Sequence, residues 1–269
     1  MQVMTNCLIK AAAAAGLILS APKTKILRSP DLPNDPICAD GVPLEDVESF
    51  VYLGSRIEIN GSSENEVGVR IAKAEGAFNL LKGNLWALDR VSTQTKRRVY
   101  MTSVRPVLLY GCGTWPLTTE DVRRLESFEF FCWRRILGIQ RDDRVRNSDV
   151  LDLMGQPTSC SVELKKRRLS FLGHVLRMDP YRLPRRALLS DPPASWSRPS
   201  GGLRTTWQRA VVQDLSPLNL KQHYESRDVR VRGAPNVAWP RDWKQILCEL
   251  CVDRSQWMGM IQRVIDAPV

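Results

Sequence analysis

The sequence contains little histidine and no long apolar run. Two of its 269 residues are histidine, and no stretch approaches the roughly 18 apolar residues of a membrane-spanning helix. Neither the Gly-x-Ser-x-Gly turn of serine hydrolases nor a common glycine-rich phosphate loop is present. These absences argue against a membrane-spanning helix, a serine hydrolase of that type and an enzyme that binds nucleotides through one of the common glycine-rich loops.

The cysteines form neither a disulfide framework nor a zinc pattern. Their number is 7, which is odd, and their spacing does not repeat. We therefore expect reduced thiols in an intracellular protein, cytoplasmic or nuclear. Cys248 and Cys251 have the spacing of half a zinc site, but a structural site needs four ligands. We predict no bound metal and interpret this pair as core packing on a helix.

Two further features have ordinary structural interpretations. His174 lies on an apolar helix face without a nucleophile pattern, so we expect it to be buried or to bond a helix cap. Residues 11–19 are apolar and precede Ser20-Ala21-Pro22, which imitates a short signal peptide. Lys10 is the one basic residue before this run. An amphipathic or buried helix is therefore favoured over a signal peptide.

The positive charge is concentrated in one block. The formal net charge is +10, and residues 151–210 carry 11 basic but 4 acidic side chains. A basic surface favours a polyanionic partner, either nucleic acid or an acidic membrane surface. The basic tetrad is Lys165, Lys166, Arg167 and Arg168. The stretch continues with Arg177, Arg182, Arg185 and Arg186, and it is interleaved with Phe171, Tyr181, Trp196 and Trp207.

Such a stretch has two interpretations. Lysine and arginine neutralise phosphates, and aromatic rings stack on exposed bases, which points to RNA or DNA binding. Charge runs on helices are also commonly just solvated faces. The sequence alone leaves both open.

Local patterns predict an α+β protein. Residues 3–15 are predicted to be helical and to end at Gly16, residues 25–27 to form a strand, and Asp40-Gly41 to form a hairpin turn. Residues 1–60 therefore form a small β-containing piece. Helices follow from a capping box at Ser63-x-x-Glu66, from Ser92 to about 109, and from a cap at Thr118-x-x-Asp121.

The rest of the chain is also predicted to be mainly helical. Further helices are expected at 147–154, 158–178, near 204–214 and at 240–265, and residues 225–238 are expected to be irregular. Residues 190–203 are rich in proline, glycine and serine, as linkers are. The predicted organisation is 1–60, a helical domain at 61–189, a linker at 190–203 and a helical tail at 204–269.

Several short sequence motifs, called words below, resemble the C-terminal part of reverse transcriptases from LINE-type retrotransposons, which lack long terminal repeats. The words, in chain order, are Ala15-Gly16-Leu17-x-Leu19-Ser20 with Lys23-Thr24-Lys25, Phe50-Val51-Tyr52-Leu53-Gly54, Glu66-x3-Arg70-Ile71-Ala72-Lys73, Tyr110-Gly111-x2-Thr114-Trp115, Ile136-Leu137-Gly138-Ile139, Leu172-Gly173-His174, Arg182-Leu183-Pro184-Arg185, Gly201-Gly202-x4-Trp207 and Asp253-Arg254-x2-Trp257. The resemblance extends over almost the whole chain.

The resemblance implies a role for each of several segments. Residues 1–60 would be the end of a polymerase palm, with a primer-grip-like hairpin at Tyr52, Leu53 and Gly54. Lys23 or Lys25 would correspond to a lysine that assists the leaving pyrophosphate. Arg70 and Lys73 would face the template–primer duplex from a thumb-like domain. Without the rest of the palm, apolar side chains of the hairpin are expected to be under-covered.

The catalytic carboxylates of such a polymerase are not found here. Adjacent aspartates occur at Asp142-Asp143, but Arg141, Arg144 and Arg146 surround them, so we interpret them as a surface cluster after a helix end. The resemblance places the catalytic aspartates, and the Mg²⁺ they bind, upstream of Met1 in a parent enzyme. No cofactor and no catalytic residue are expected in this chain.

Two functional hypotheses remain open. The chain is either a reverse transcriptase fragment that binds template–primer without polymerising alone, or a non-enzymatic nucleic-acid-binding or interaction protein derived from such an element. A decayed copy with no selected function is a further alternative. Gly113 stands where the family usually has an acidic residue, which is the one departure that favours decay.

Overall fold

The computed structural model describes residues 1–28, 35–59, 64–190, 206–218, 228–230, 238–240 and 243–267. The chain divides into two compact units, Met1–Glu66 and Val67–Val269. Helices dominate, and the described strands form small two-stranded sheets, which confirms the α+β class. The finer division into four segments stays a prediction. Ser63 and nearly all of the predicted linker lie outside the described residues.

Among its described residues, the first unit combines an N-terminal α-helix with six short strands. Helix α1 spans Gln2–Ala14, and the strands are β1 Lys25–Ile26, β2 Cys38–Ala39, β3 Val42–Pro43, β4 Glu45–Asp46, β5 Ser49–Tyr52 and β6 Ser55–Glu58. Strand β1 pairs with β4 in parallel, whereas β2–β3 and β5–β6 are antiparallel hairpins. Both hairpin turns have two residues with positive φ, Asp40-Gly41 and Leu53-Gly54. The predicted turn at Asp40-Gly41 is confirmed.

Helix α1 confirms the predicted N-terminal helix, and of the two expected forms, amphipathic or buried, the buried one is not observed. None of its residues is buried, and Gly16, at φ 73°, follows its end in the left-handed conformation. The Gln2 amide fastens the helix to β2, because it donates to the Cys38 carbonyl and accepts from the Cys38 N–H, both at 2.8 Å. Ile9 of the helix is partly buried against the unit's small apolar core. This core consists of Ile26, Ile37, Ala39 and Leu44.

The β5–β6 hairpin exposes many apolar side chains. Phe50 lies opposite Ile57, and Val51 lies opposite Arg56. The exposed fractions are 55% for Val51, 74% for Leu53 and 45% for Ile57. The expected under-coverage of this hairpin is therefore confirmed.

The second unit consists mainly of helices. They are α2 Glu64–Leu80, whose first residues belong to the first unit, α3 Thr93–Val99, α4 Arg105–Leu108, α5 Thr119–Leu137, α6 Asn147–Leu153, α7 Cys160–Leu176, α8 Leu183–Leu189, α9 Trp207–Asp214, α10 Trp243–Leu250 and α11 Arg254–Asp266. A hairpin of β7 Asp228–Arg230 and β8 Ala238–Pro240 precedes α10. The expectation that all of 225–238 is irregular is therefore wrong at residues 228–230 and 238.

Helix α7 belongs to both apolar cores of this unit. Its first part, with Cys160 and Leu164, packs into a core built by α2 to α6. Its second part, with Leu169, Leu172 and Leu176, packs into a core built with α9, α10 and α11. One helix thus joins the two halves of the unit.

Capping residues set the ends of α3 and α5 as the sequence predicts. The Ser92 hydroxyl accepts from the Thr95 N–H at 3.2 Å. Thr118 and Asp121 form a reciprocal capping box, and Gly138 at φ 73° ends α5. These bonds satisfy backbone groups that would otherwise have no partner at the helix ends.

The helix predicted from Ser92 to about 109 is not uniform. A π-helical segment, Tyr100–Val104, separates α3 from α4. Pro106 explains it, because proline has no N–H to donate and its ring crowds the preceding turn, which a wider turn relieves. The predicted helix at 240–265 is likewise two helices. Asp253 starts the second by accepting from the N–H groups of Ser255 and Gln256.

No helix of the described stretches is both long and apolar enough to cross a membrane.

The core built by α2 to α6 contains a buried ion pair. Arg105 Nε lies 3.0 Å from Glu129 Oε1, and both side chains are buried. Arg105 also donates to the Thr158 carbonyl at 2.6 Å. Burial raises the pKa of Glu129 from its ordinary 4.5 to about 7, although Arg105 opposes the shift.

The raised pKa of Glu129 predicts a pH-dependent stability. Because the folded chain holds this proton more tightly than the unfolded chain, the free energy of unfolding should fall as the pH rises from about 4.5 to about 7. Urea unfolding across this range measures the slope. Glu129→Gln should flatten it, and Glu120→Gln, an exposed control on the same helix, should not. An unchanged slope in Glu129→Gln would contradict the assignment.

Candidate nucleic-acid interface

Helix α7 and the turn after it carry most of the basic residues singled out in the sequence. Ser159 caps the helix by accepting from the Val162 N–H at 3.3 Å. Apolar residues at helical spacing bury two sides of the helix. Only the remaining side can present charge to a partner.

The structure divides the basic tetrad between the inside and the surface. Arg168 is buried, and its Nη1 donates to Asp214 Oδ2 at 2.7 Å. Arg167 is half-buried and pairs with Glu163 at 2.7 Å, while it also donates to the Leu109 carbonyl. Lys166 is exposed and Lys165 half-exposed. Two of the four predicted phosphate contacts are thus engaged inside the protein.

The position of Arg168 is readable from the sequence. It stands four residues after Leu164 and four before Leu172, both of which are buried. Residues four apart share one helix face, so Arg168 belongs to the apolar face. Desolvation by burial raises the pKa of Asp214, and Arg168 opposes that shift.

The later arginines divide in the same way. Arg177 donates to the Cys251 carbonyl at 3.1 Å, and Arg185 donates to the Met178 carbonyl at 2.5 Å. Arg182 and Arg186 are exposed. We define the cationic face as the exposed Lys166, Arg182 and Arg186 together with the half-exposed Lys165 and Arg185.

His174 and Tyr181 are exposed beside these cations. His174 lies on the outer side of α7, eight residues after Lys166, so the expectation that it is buried is wrong. Tyr181 is 85% exposed and follows the Asp179-Pro180 turn. Proline and aspartate are strong turn residues, and this signal was available in the sequence.

The remaining predicted site residues lie elsewhere. In the first unit, Lys23 is exposed, Lys25 pairs with Glu45, and the Tyr52–Gly54 turn is exposed. In the second unit, Lys73 is exposed. Arg70 is 4% exposed, and its guanidinium lies 4.5 Å from the centre of the Tyr110 ring. This cation–π packing differs from the expected position at a nucleic-acid surface.

The Asp142-Asp143 pair and the Cys248–Cys251 pair both lie in ordinary structural surroundings rather than in a metal site. Asp142 and Asp143 lie exposed on a short 3-10 turn after α5, where Asp143 accepts from the Gln140 N–H at 2.6 Å. Cys251 is buried in the second core, and burial raises the pKa of its thiol to about 12, which opposes the thiolate that zinc requires. Among the described residues, no three histidine, cysteine or acidic side chains cluster to hold a metal ion.

Two indoles connect sequence words that lie far apart in the chain. Trp207 donates its Nε1–H to the Gly113 carbonyl at 2.7 Å, and Trp257 donates to the Leu169 carbonyl at 3.0 Å. A Cβ at Gly113 would lie 3.2 Å from the Arg167 carbonyl oxygen. The close packing of Gly113 on α7 therefore explains the glycine without assuming that the sequence has decayed.

The two kinds of basic residue should respond oppositely to mutation. Arg168→Ala leaves the Asp214 carboxylate buried without its partner, so we expect it to lower the free energy of unfolding by about 3–5 kcal/mol. Lys166→Ala, two residues earlier and exposed, should change it by no more than about 0.5 kcal/mol. Urea titrations followed by circular dichroism measure both. Equal stabilities for the two variants would contradict the division of the tetrad.

Comparison with known proteins indicates the origin of the chain. A Caenorhabditis elegans protein described as uncharacterized and transposon-derived is 25% identical over 97% of this chain and 88% of its own length. No family model matches the sequence, and no solved structure matches it. The similarity along nearly the whole length of both chains supports a transposon origin.

Proposed function

We propose that this chain derives from the reverse transcriptase of a LINE-type retrotransposon and binds nucleic acid without polymerising. The resemblance of its ordered sequence words suggests the parent family, and the similarity to a transposon-derived protein is consistent with it.

The observation that carries the proposal is the composition of the cationic face. Between residues 164 and 190 the chain has one acidic side chain, Asp179. Its Oδ1 accepts from the Tyr181 N–H at 2.9 Å. The exposed cations on this segment are therefore not balanced by acids on the same segment. Such a surface suits the phosphates of a nucleic acid backbone.

The chemistry available to the described residues favours binding over catalysis. Phosphoryl transfer by a polymerase requires carboxylates that hold two metal ions close together. Asp143 is used as a turn cap, and arginines flank both members of the Asp142-Asp143 pair. These residues do not fit a two-metal site, and we derive no catalytic step from them.

Salt-dependent binding tests the proposed role. If roughly four to five cations of the cationic face meet phosphates, affinity for duplex DNA should fall with salt at a log–log slope of about −4. The triple variant Lys166→Ala/Arg182→Ala/Arg186→Ala should reduce the slope by about 3. The matched triple Lys82→Ala/Arg90→Ala/Arg98→Ala removes the same charge from exposed positions elsewhere and should retain the slope. A cationic-face variant that keeps both affinity and slope would exclude this surface.

A primer-extension assay tests the absence of polymerase activity. The purified chain, supplied with an annealed template–primer, deoxynucleotides and Mg²⁺ or Mn²⁺, should add no nucleotide. The expected reason is the lack of a fitting pair of metal-binding carboxylates. Metal-dependent incorporation that Asp142→Asn/Asp143→Asn abolishes would refute this expectation.

A further inference from the structure

The junction between α7 and α8 contains an open concavity of about 330 Å³. Its walls are Pro180, Arg185, Arg186, Leu189 and Ser190. The geometry points to a site for single-stranded nucleic acid, in which Arg185 and Arg186 hold one backbone phosphate in this concavity while an unpaired base stacks on Tyr181. This inference rests on the proposed function and deepens it by naming the form of nucleic acid.

The charge of the concavity suits a phosphate. Among the described residues, its walls include two arginines and no acidic residue. The Met178 carbonyl holds Nη1 of Arg185 at 2.5 Å, which fixes the side chain while its other N–H groups remain as donors. Lys244 donates to the carbonyl oxygens of Leu189 and Ser190 at 3.1 and 3.2 Å. A third cation thus lies at the C-terminal end of α8, where Leu189 and Ser190 border the concavity.

The size and the apolar walls suit one nucleotide of a flexible strand. A volume of about 330 Å³ lies at the lower end of the range for small-ligand sites, roughly 300–1,000 Å³. Pro180 and Leu189 offer apolar surface to the sugar beside the phosphate. A single strand can bend one nucleotide into such a concavity, whereas the backbone of a duplex is constrained to the helical path.

Tyr181 supplies a stacking surface next to the concavity. It directly follows Pro180, and its side chain is 85% exposed. Its backbone N–H bonds Asp179 Oδ1 at 2.9 Å, and the Arg182 N–H bonds the Asp179 carbonyl at 3.0 Å. The turn thus presents the ring from a fixed backbone, which reduces the ordering required on binding. Stacking requires a base that is unpaired, so the ring favours a single strand.

Binding to single and double strands distinguishes this site from a general basic surface. The full chain is titrated against fluorescein-labelled oligo(dT) and oligo(U) of about 12 nucleotides and a DNA duplex of equal length, at constant salt. We expect the wild type to prefer the single strands. Tyr181→Ala should weaken single-strand binding by about 5- to 150-fold and duplex binding by less than about twofold. Tyr181→Phe should bind like the wild type.

Two controls keep the test specific. Leu183→Ala removes another exposed side chain of the same segment, 73% exposed, and should leave both affinities unchanged. Arg185→Ala/Arg186→Ala should weaken binding to oligo(dT) but not to an uncharged methylphosphonate oligomer of the same sequence. Circular dichroism verifies that each variant is folded.

The outcomes separate this inference from the proposed function. A wild type that binds neither single strands nor duplex overturns both. A wild type that binds nucleic acid while Tyr181→Ala matches it on single strands overturns the stacking site alone. Equal loss on single strands and duplex in Tyr181→Ala also overturns it, because a ring that only shapes the surface would act on both forms.

Discussion

The buried ion pair between Arg168 and Asp214 is the constraint on which the second unit depends. Arg168 stands on α7 between the residues of the first core and those of the second, and Asp214 ends α9. Burying two charges is favourable only when their geometry compensates for the lost hydration. The 2.7 Å contact offsets part of that cost and joins α9 to α7, although Nε of Arg168 is buried without a hydrogen-bond partner among the described residues.

The same helix separates structural charge from surface charge. Arg167 and Arg168 point their charge at Glu163 and Asp214, whereas Lys166 remains in solvent. Net charge therefore overstates what a partner meets, because part of the basic block is neutralised within the fold. The basic surface that remains available to a partner is smaller and more localised, and it continues from α7 across the turn to α8.

Local signals in the sequence were sufficient for much of the fold. The capping box of Thr118 and Asp121, the cap at Ser92 and the turn at Asp40-Gly41 act over a few residues, so their outcome is readable directly. The candidate site was less predictable. Arg168 and Asp214 are 46 residues apart, and a run of four basic residues resembles a solvated face unless its helical phase is followed. The exposure of His174 and the burial of Arg70 depend on which side of each helix is covered, which sequence spacing alone did not specify.

Gly173 shows how the residue at one position limits what can stand at a distant one. A Cβ at this position would lie 2.3 Å from Nε1 of Trp257, whose N–H bonds the Leu169 carbonyl. The lack of a side chain at Gly173 therefore leaves the space on α7 that the Trp257 indole occupies. If Trp257 were replaced by a small residue, space would open beside Gly173, and the nearest remaining contact of a Cβ at 173 would be Nη1 of Arg177, at 3.0 Å. We therefore expect related sequences that keep a tryptophan at the position of Trp257 to keep a glycine at the position of Gly173.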